Sequence, residues 1–354
     1  MTALNDLIAD PLFQLNSLLW LTQPLPAVSS IRPLLLERGF VVHAIGPLLP
    51  LPPDIRLALA DLSIATQGSA RPDAVLRRDR DMRYGLVECK GKAFGTKSST
   101  AAQARTLVIA AGSQMAEILG LAADEVQGSV AAYWVPTQAG VEMHETLGLL
   151  HGELADAKIA CGTTCVLGLE ARKDAIYLVP DDVAGEFFGL GKTPLPYLFI
   201  EDDNDPRPLY FIPYDPDSCR SPGDDKYCKR ILFERIQATV LGAAGRATPP
   251  AELRFQAEDL LNSAMLGSYG LWENRDSAKH MRRLVRQLLA DLEKAVCTEV
   301  AGVLSYVETA GWVLRIENEA SQERVCSALA KYTPEAIDLS QDPQPGLFDD
   351  APDL

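Results

Sequence analysis

Short apolar runs bounded by charged or turn-forming residues fill the first half of the chain, and helical periodicity takes over in the last third. Residues 73–76 and 84–87 are β-like runs separated by Arg77-Arg78-Asp79-Arg80-Asp81-Met82-Arg83, a pattern that predicts two antiparallel strands joined by an exposed turn. Ser98-Ser99-Thr100 then offers an N-cap to the proline-free, Ala/Leu/Ile-rich stretch 101–119, predicting a helix interrupted only at Gly112. Residues 128–135 predict the next strand. Further along, 141–156 reads as a helix, 165–169 with 175–179 as a second hairpin around Arg172-Lys173-Asp174, 201–208 as a linker, and 209–212 as a strand. Helices are expected over 226–245, 251–267 and 277–296, followed by a strand over 312–316.

The first hairpin carries the chemistry. With its turn centred between Arg80 and Asp81, Asp73 lies opposite Glu88, and opposed residues share a face with Cα atoms about 4.5–5.5 Å apart. Lys90 follows Glu88 by two positions and returns to that face, roughly 6–7 Å further along. Val87 and Cys89 point the other way. Asp73 and Val75 would share a face in a regular strand, so the strand either twists or begins only after Asp73. Two carboxylates this close repel, and a hard divalent cation between them removes the conflict. Mg²⁺ or Mn²⁺ needs only one or two carboxylates together with water and a substrate phosphate, and the Lys90 ammonium is placed to handle the attacking water.

Pro72-Asp73, fourteen intervening positions, and then Glu88-Cys89-Lys90 behind the apolar Leu86-Val87 resemble the PD-(D/E)xK nuclease superfamily of restriction endonucleases, junction resolvases and RecB-like nucleases. The resemblance implies an α/β fold: a restriction-endonuclease-like αβββαβ core with a mixed sheet flanked by helices, plus an α-rich C-terminal region. It implies Asp73 and Glu88 as metal ligands, Lys90 beside the water, and Gln103 in support on the following helix, assisted by Lys92. RecB-like members follow that Gln with Tyr four positions on, where this chain has Leu107. Relatives that use a first-helix acid point to Glu37, then Asp61. The implied activity is hydrolysis of phosphodiester bonds, in DNA before RNA, in restriction, antiviral defence, repair or recombination. A catalytically inactive module for assembly or nucleic-acid recognition is the alternative.

Charge points to the same segment. The chain carries a net charge of −15 with a pI near 4.8, a poor starting point for binding a polyanion. Residues 71–105 invert the balance, with nine Arg and Lys against four acids, and Lys92, Lys97 and Arg105 become candidate phosphate contacts. A second basic stretch, Lys279-His280-Met281-Arg282-Arg283-Leu284-Val285-Arg286, opens a helix with Leu284, Leu288 and Leu292 as its buried stripe, leaving Arg282, Arg283 and Arg286 for a nucleic-acid backbone.

Length and composition accommodate one large domain or two ordinary ones: 354 residues, 47% hydrophobic. The boundaries expected are a nuclease-like domain over 1–140, an α/β accessory region over 141–332 for recognition or assembly, and an acidic, disordered tail over 333–354. The N-terminal apolar run near Leu12 is broken by polar residues and preceded by Asp6 and Asp10, so neither a signal peptide nor a membrane span is expected. Seven cysteines, an odd number, fit a reducing cytoplasm with free thiols, and Cys161, Cys165, Cys219 and Cys228 fit ordinary burial better than a metal cluster. Gly191-Lys192-Thr193 lacks the earlier glycine of a phosphate loop, since position 186 is Glu. His144 and His151 read as surface residues. In the tail, Gln344-Pro345-Gly346-Leu347-Phe348 is similar to the peptides that dock into bacterial sliding clamps. A homodimer or another protein partner fits the acidic remainder.

Overall fold

The computed structural model describes residues 2–25, 31–173, 175–200, 206–216, 222–308 and 311–333. They form two compact units. The first comprises Met1–Arg220 with Met265–Lys279, and the second Ser221–Ala264 with His280–Leu354. The tail from 334 onward, with its clamp-like peptide, lies outside the described residues, as do 201–205 and Cys219. No helix among the described residues is long and apolar enough to cross a membrane.

The first unit is built on one seven-stranded mixed sheet whose spatial order follows the chain: β1 (Phe40–Ile45), β2 (Ala74–Arg78), β3 (Arg83–Cys89), β4 (Gly128–Pro136), β5 (Thr163–Ala171), β6 (Ile176–Pro180) and β7 (Thr193–Pro194). β1, β2 and β3 form an antiparallel meander, and β4 and β5 run parallel to β3. The last two strands turn back antiparallel. Parallel pairing at the centre explains why Val130-Ala131-Ala132-Tyr133-Trp134-Val135 is an unbroken apolar run: helices cover both faces, and all six residues are buried. Because β4 and β5 pair along their lengths, residues 141–194 complete the same sheet. The boundary expected at residue 140 therefore falls inside a unit.

Among the helices of the outer layers are α1 (Pro11–Thr22), α2 (Ser99–Ala110), α3 (Thr137–Asp156) and α4 (Asp182–Phe188). On one face, Val75, Leu86, Tyr133 and Val166 pack with Leu107 and Val108 of α2 and Leu147 and Leu150 of α3. On the other, the Phe188 ring of α4 comes so close to the sheet that a Cβ on Gly85 would lie 3.1 Å from it. α1 belongs to this second layer and is buried almost throughout, Gln14, Asn16 and Ser17 included.

Those polar positions explain a correction. Residues 209–212 do not form a strand; three of their backbone groups bond α1 side chains, and the Leu209 N–H donates to the Tyr197 carbonyl. Asn16 bonds both the N–H and the C=O of Ile212 at 2.8 Å, and the Trp20 indole donates to the Leu209 carbonyl at 2.6 Å. The helix expected over 101–119 stops at Ala110, and a separate turn, Met115–Ile118, follows the break at Gly112, where a Cβ would crowd both the Ile109 carbonyl and Cys161.

The second unit is α-rich around a three-stranded sheet. Its elements are α5 (Pro222–Arg246), β8 (Ala251–Phe255), α6 (Ala257–Ala264), α7 (Arg275–Cys297) from His280 onward, β9 (Leu304–Val307), β10 (Gly311–Ile316) and α8 (Glu319–Lys331), with β10 central. The helix expected over 251–267 is a strand and then a helix. Ala251-Glu252-Leu253-Arg254-Phe255 alternates with period two and pairs with β10 along its length. Leu284, Leu288 and Leu292 are buried, as their spacing requires.

Candidate active site

The hairpin has the expected register: Ala74 faces Val87 and Arg78 faces Arg83, with the turn closed by Asp79–Asp81 and a left-handed Met82. β2 begins only at Ala74. Asp73, one step beyond the last pair, turns its carboxylate onto the opposite strand, where Oδ2 accepts the Cys89 N–H at 2.6 Å. Val75 and Leu86 fill the face toward α2, and the two acids continue it at its open end, so no twist is needed.

Glu88 is 2% exposed. Its Oε1 lies 2.5 Å from Lys90 Nζ and accepts from Gln103 Nε2 at 2.8 Å, while Lys90 Nζ donates to Gln103 Oε1 at 3.4 Å. Gln103 arrives because α2 starts where it was expected to: Ser98 Oγ accepts the Ala101 N–H at 3.1 Å, placing Gln103 in the first turn and a half. The sequence thus brings Asp73, Glu88, Lys90 and Gln103 together.

Burial and the neighbouring Glu88 push the Asp73 carboxyl up to about 7, against the pull of Lys90 and of the Cys89 N–H. Burial also raises Glu88, opposed by the Lys90 ammonium. For Lys90 itself burial acts downward, but Glu88 and Asp73 outweigh it and hold the ammonium above its usual range. Lys90 is therefore a charged donor at neutral pH and not a base. The gap bounded by Glu88, Lys90, Gln103 and Tyr133 is too narrow to admit a free water. Access comes from the side where Asp73, Lys90 and Gln103 are partly exposed.

A divalent cation fits this donor set. Glu88 Oε2 is buried with no hydrogen-bond partner, and a buried carboxylate oxygen without one is costly unless an ion completes it. Asp73 supplies a second hard oxygen. Among the described residues no group of three or more His, Cys, Asp or Glu could hold a metal, so an ion here would complete its shell with water and a phosphate.

The charge island divides. Arg77 pairs with Asp79, and Asp81 is shared by Arg78 and Arg83. This turn sits at the opposite end of β3 from Glu88, roughly 16 Å away at the rise of an extended strand. Arg105 is not available to a ligand: it is 6% exposed, bonds Glu153 Oε2 at 2.7 Å, and donates to the carbonyls of Thr96 and Ala65. Lys92 and Lys97 are exposed on the loop between β3 and α2, free of ion pairs among the described residues. Arg282 lies 3.6 Å from Glu258, Arg283 is exposed and Arg286 half-buried, all three in the second unit. Glu37 pairs with Arg32, and Asp61 is an exposed residue at the end of a surface helix, so neither belongs to the cluster. Of the four cysteines weighed as a metal set, Cys165 is buried within β5 and Cys228 is buried in the second unit.

Two residues went unread in the sequence. Gln14, wholly buried on α1, donates to the Lys90 carbonyl at 3.0 Å and to the Ile8 carbonyl at 2.8 Å, clamping the chain at the lysine. Its signal is an amide inside an apolar run, one of two there with Asn16. Tyr133 pairs with Glu88 across the parallel ladder, its hydroxyl buried without a partner. Gly91 completes the support, since a Cβ there would lie 2.2 Å from the Ala9 carbonyl.

Comparison of the chain with protein-family models, with curated proteins and with solved structures finds no match.

Proposed function

We propose that this protein is a Mg²⁺- or Mn²⁺-dependent nuclease of the PD-(D/E)xK kind, hydrolysing phosphodiester bonds in DNA before RNA. One observation carries the reading: Asp73, Glu88, Lys90 and Gln103, named by the sequence pattern, meet at one end of a mixed sheet with an unpaired carboxylate oxygen among them. Support for the reading comes from the order of elements, a helix, three antiparallel strands with the helix Pro53–Asp61 inserted after the first, a helix and a parallel strand, which is compatible with the αβββαβ order expected of that superfamily. Asp73 and Glu88 would hold the ion. Bound there, it would lower the pKa of a coordinated water and offset charge building on the phosphate. Lys90, charged, orients that water through its ammonium protons and adds to the charge compensation. Gln103 fixes both Lys90 and Glu88. Exposed Lys92 and Lys97 receive the flanking phosphates. A role in defence or in repair and recombination, in the cytoplasm, follows from kinship with that superfamily, as does action as a homodimer.

The test is incubation with linear, supercoiled, branched and single-stranded DNA and with RNA, plus Mg²⁺ or Mn²⁺, beside Asp73→Ala and Lys90→Ala. Cleavage by the wild type alone is expected. Cleavage that survives both substitutions excludes this site. The closed hold of Lys90 and Gln103 on a 2%-exposed Glu88 favours the second reading, an inactive recognition or assembly module, and nucleic-acid binding without cleavage on any substrate would select it.

A further inference from the structure

A second cleft opens at the opposite ends of β4 and β5, where α2 finishes. It measures about 340 Å³, within the range of small-molecule sites, and is lined by the polar but uncharged Ser113, Gln127, Ser129 and Thr163, by backbone, and by Cys161. None of its lining residues is an acid, a lysine, an arginine or a histidine, although the chain as a whole is strongly acidic. The strand ends are held against α2 by contact that permits no side chain: a Cβ on Gly162 would lie 2.1 Å from the Ala111 carbonyl. The cleft is thus part of a tightly fixed backbone.

Behind Cys161 stands a base. His151, projecting from α3, brings Nδ1 to 3.3 Å from Cys161 Sγ, and its Nε2 lies 3.2 Å from Thr164 Oγ1. With the thiol donating to Nδ1, the Nε2–H donates to Thr164, which fixes the ring and leaves Nδ1 as the acceptor. Nucleophile, base and orienting group stand in hydrogen-bond sequence, the arrangement that activates a weak nucleophile. Burial raises the Cys161 thiol and lowers the His151 imidazole, so the pair rests neutral and proton transfer accompanies attack.

We propose that Cys161 and His151 form a covalent-modification site that takes small, uncharged electrophiles from this cleft. In the step, Sγ forms a bond to the electrophilic carbon, the bond from that carbon to its leaving group breaks with the electron pair departing on the leaving group, and the thiol proton passes to His151 Nδ1. Of the other described cysteines, Cys89, Cys165 and Cys228 are buried, while Cys297 and Cys326 are half-buried and serve as internal references. The site is independent of the nuclease reading.

The full-length chain is treated with iodoacetamide or iodoacetate under native conditions, and alkylation at each cysteine is followed by peptide mass spectrometry. Iodoacetamide is expected to label Cys161 about tenfold faster than Cys297 or Cys326, as positioned base catalysis allows. Iodoacetate, charged, is expected to show no such preference. His151→Gln should slow Cys161 alone by about the same factor. If that variant exposes Cys89 and Cys165, and so has unfolded, Thr164→Val takes its place and should also slow Cys161 selectively. Labelling of Cys161 no faster than the references, or a rate unaffected by both substitutions, overturns the proposal.

Discussion

Lys90 holds Glu88 by one oxygen only: Nζ lies 2.5 Å from Oε1, and Oε2 is left buried without a partner. The ammonium and a cation at Oε2 would share the charge of one carboxylate and repel each other, so the two compete. Lys90→Met is expected to bind Mn²⁺ several-fold more tightly than the wild type, about tenfold corresponding to 1.4 kcal/mol, while losing cleavage. Isothermal titration or the Mn²⁺ EPR signal measures this. Weaker binding by the variant would show that Lys90 supports the ion instead.

The Asp73 carboxyl, pushed up to about 7, gives a pH signature. Between its ordinary value of 3.8 and about 7 the folded chain keeps a proton that the unfolded chain releases, so this group's contribution to stability falls as pH rises through that window. Asp73→Asn should therefore gain stability relative to the wild type from pH 5 to pH 8, by at most about 3 kcal/mol, since roughly two units of the window lie above pH 5 at roughly 1.4 kcal/mol per pKa unit. Mn²⁺ should stabilise the wild type more at pH 8 than at pH 5. Melting temperatures of both chains across pH check both statements, and a flat difference between them would contradict the first.

Gln14→Leu removes the donor that satisfies the Ile8 and Lys90 carbonyls. Leaving buried acceptors unmet costs about 1–3 kcal/mol each, so urea unfolding should show a loss of roughly that size. Cleavage should fall further than stability explains, because the backbone of Lys90 is released.

Gly91→Ala places a methyl carbon 2.2 Å from the Ala9 carbonyl. The segment carrying Lys90 has to move, and a loss of more than about 3 kcal/mol is expected by denaturant unfolding.

Lys92→Ala and Lys97→Ala should weaken nucleic-acid binding and lower the slope of log affinity against log salt by about one each. Arg105→Ala should leave that slope unchanged and lower stability by about 1–3 kcal/mol, since it leaves the Thr96 and Ala65 carbonyls without their donor while the exposed Glu153 returns to water. Fluorescence anisotropy at several salt concentrations separates the two classes.

Local chemistry in this chain is legible from its sequence; long-range satisfaction is not. The pairing of the hairpin follows from turn symmetry and alternation, and the start of α2 from one serine, so three side chains from the hairpin and one from the helix could be brought together on paper. Arg105 could not be separated from Lys97 that way, because what distinguishes them is Glu153, forty-eight positions on. Glu37 was an acid in the right stretch on a helix of four residues that faces solvent, whereas the helix that reaches the lysine carries an amide. The strand expected over 209–212 does not form because Leu209 and Ile212 turn backbone groups to side chains of α1, which no local propensity encodes.

The bonds from Asn16 to Ile212 join positions 196 apart. Within its own helix the Asn16 amide reaches only the Leu12 carbonyl, and its two bonds to Ile212 must wait for a segment synthesised 196 residues later. Native closure of this first unit is thus a late, non-local event. A fragment ending at residue 140 would keep all four clustered side chains and still lack what shields the helix behind them, so it should remain unfolded or aggregate.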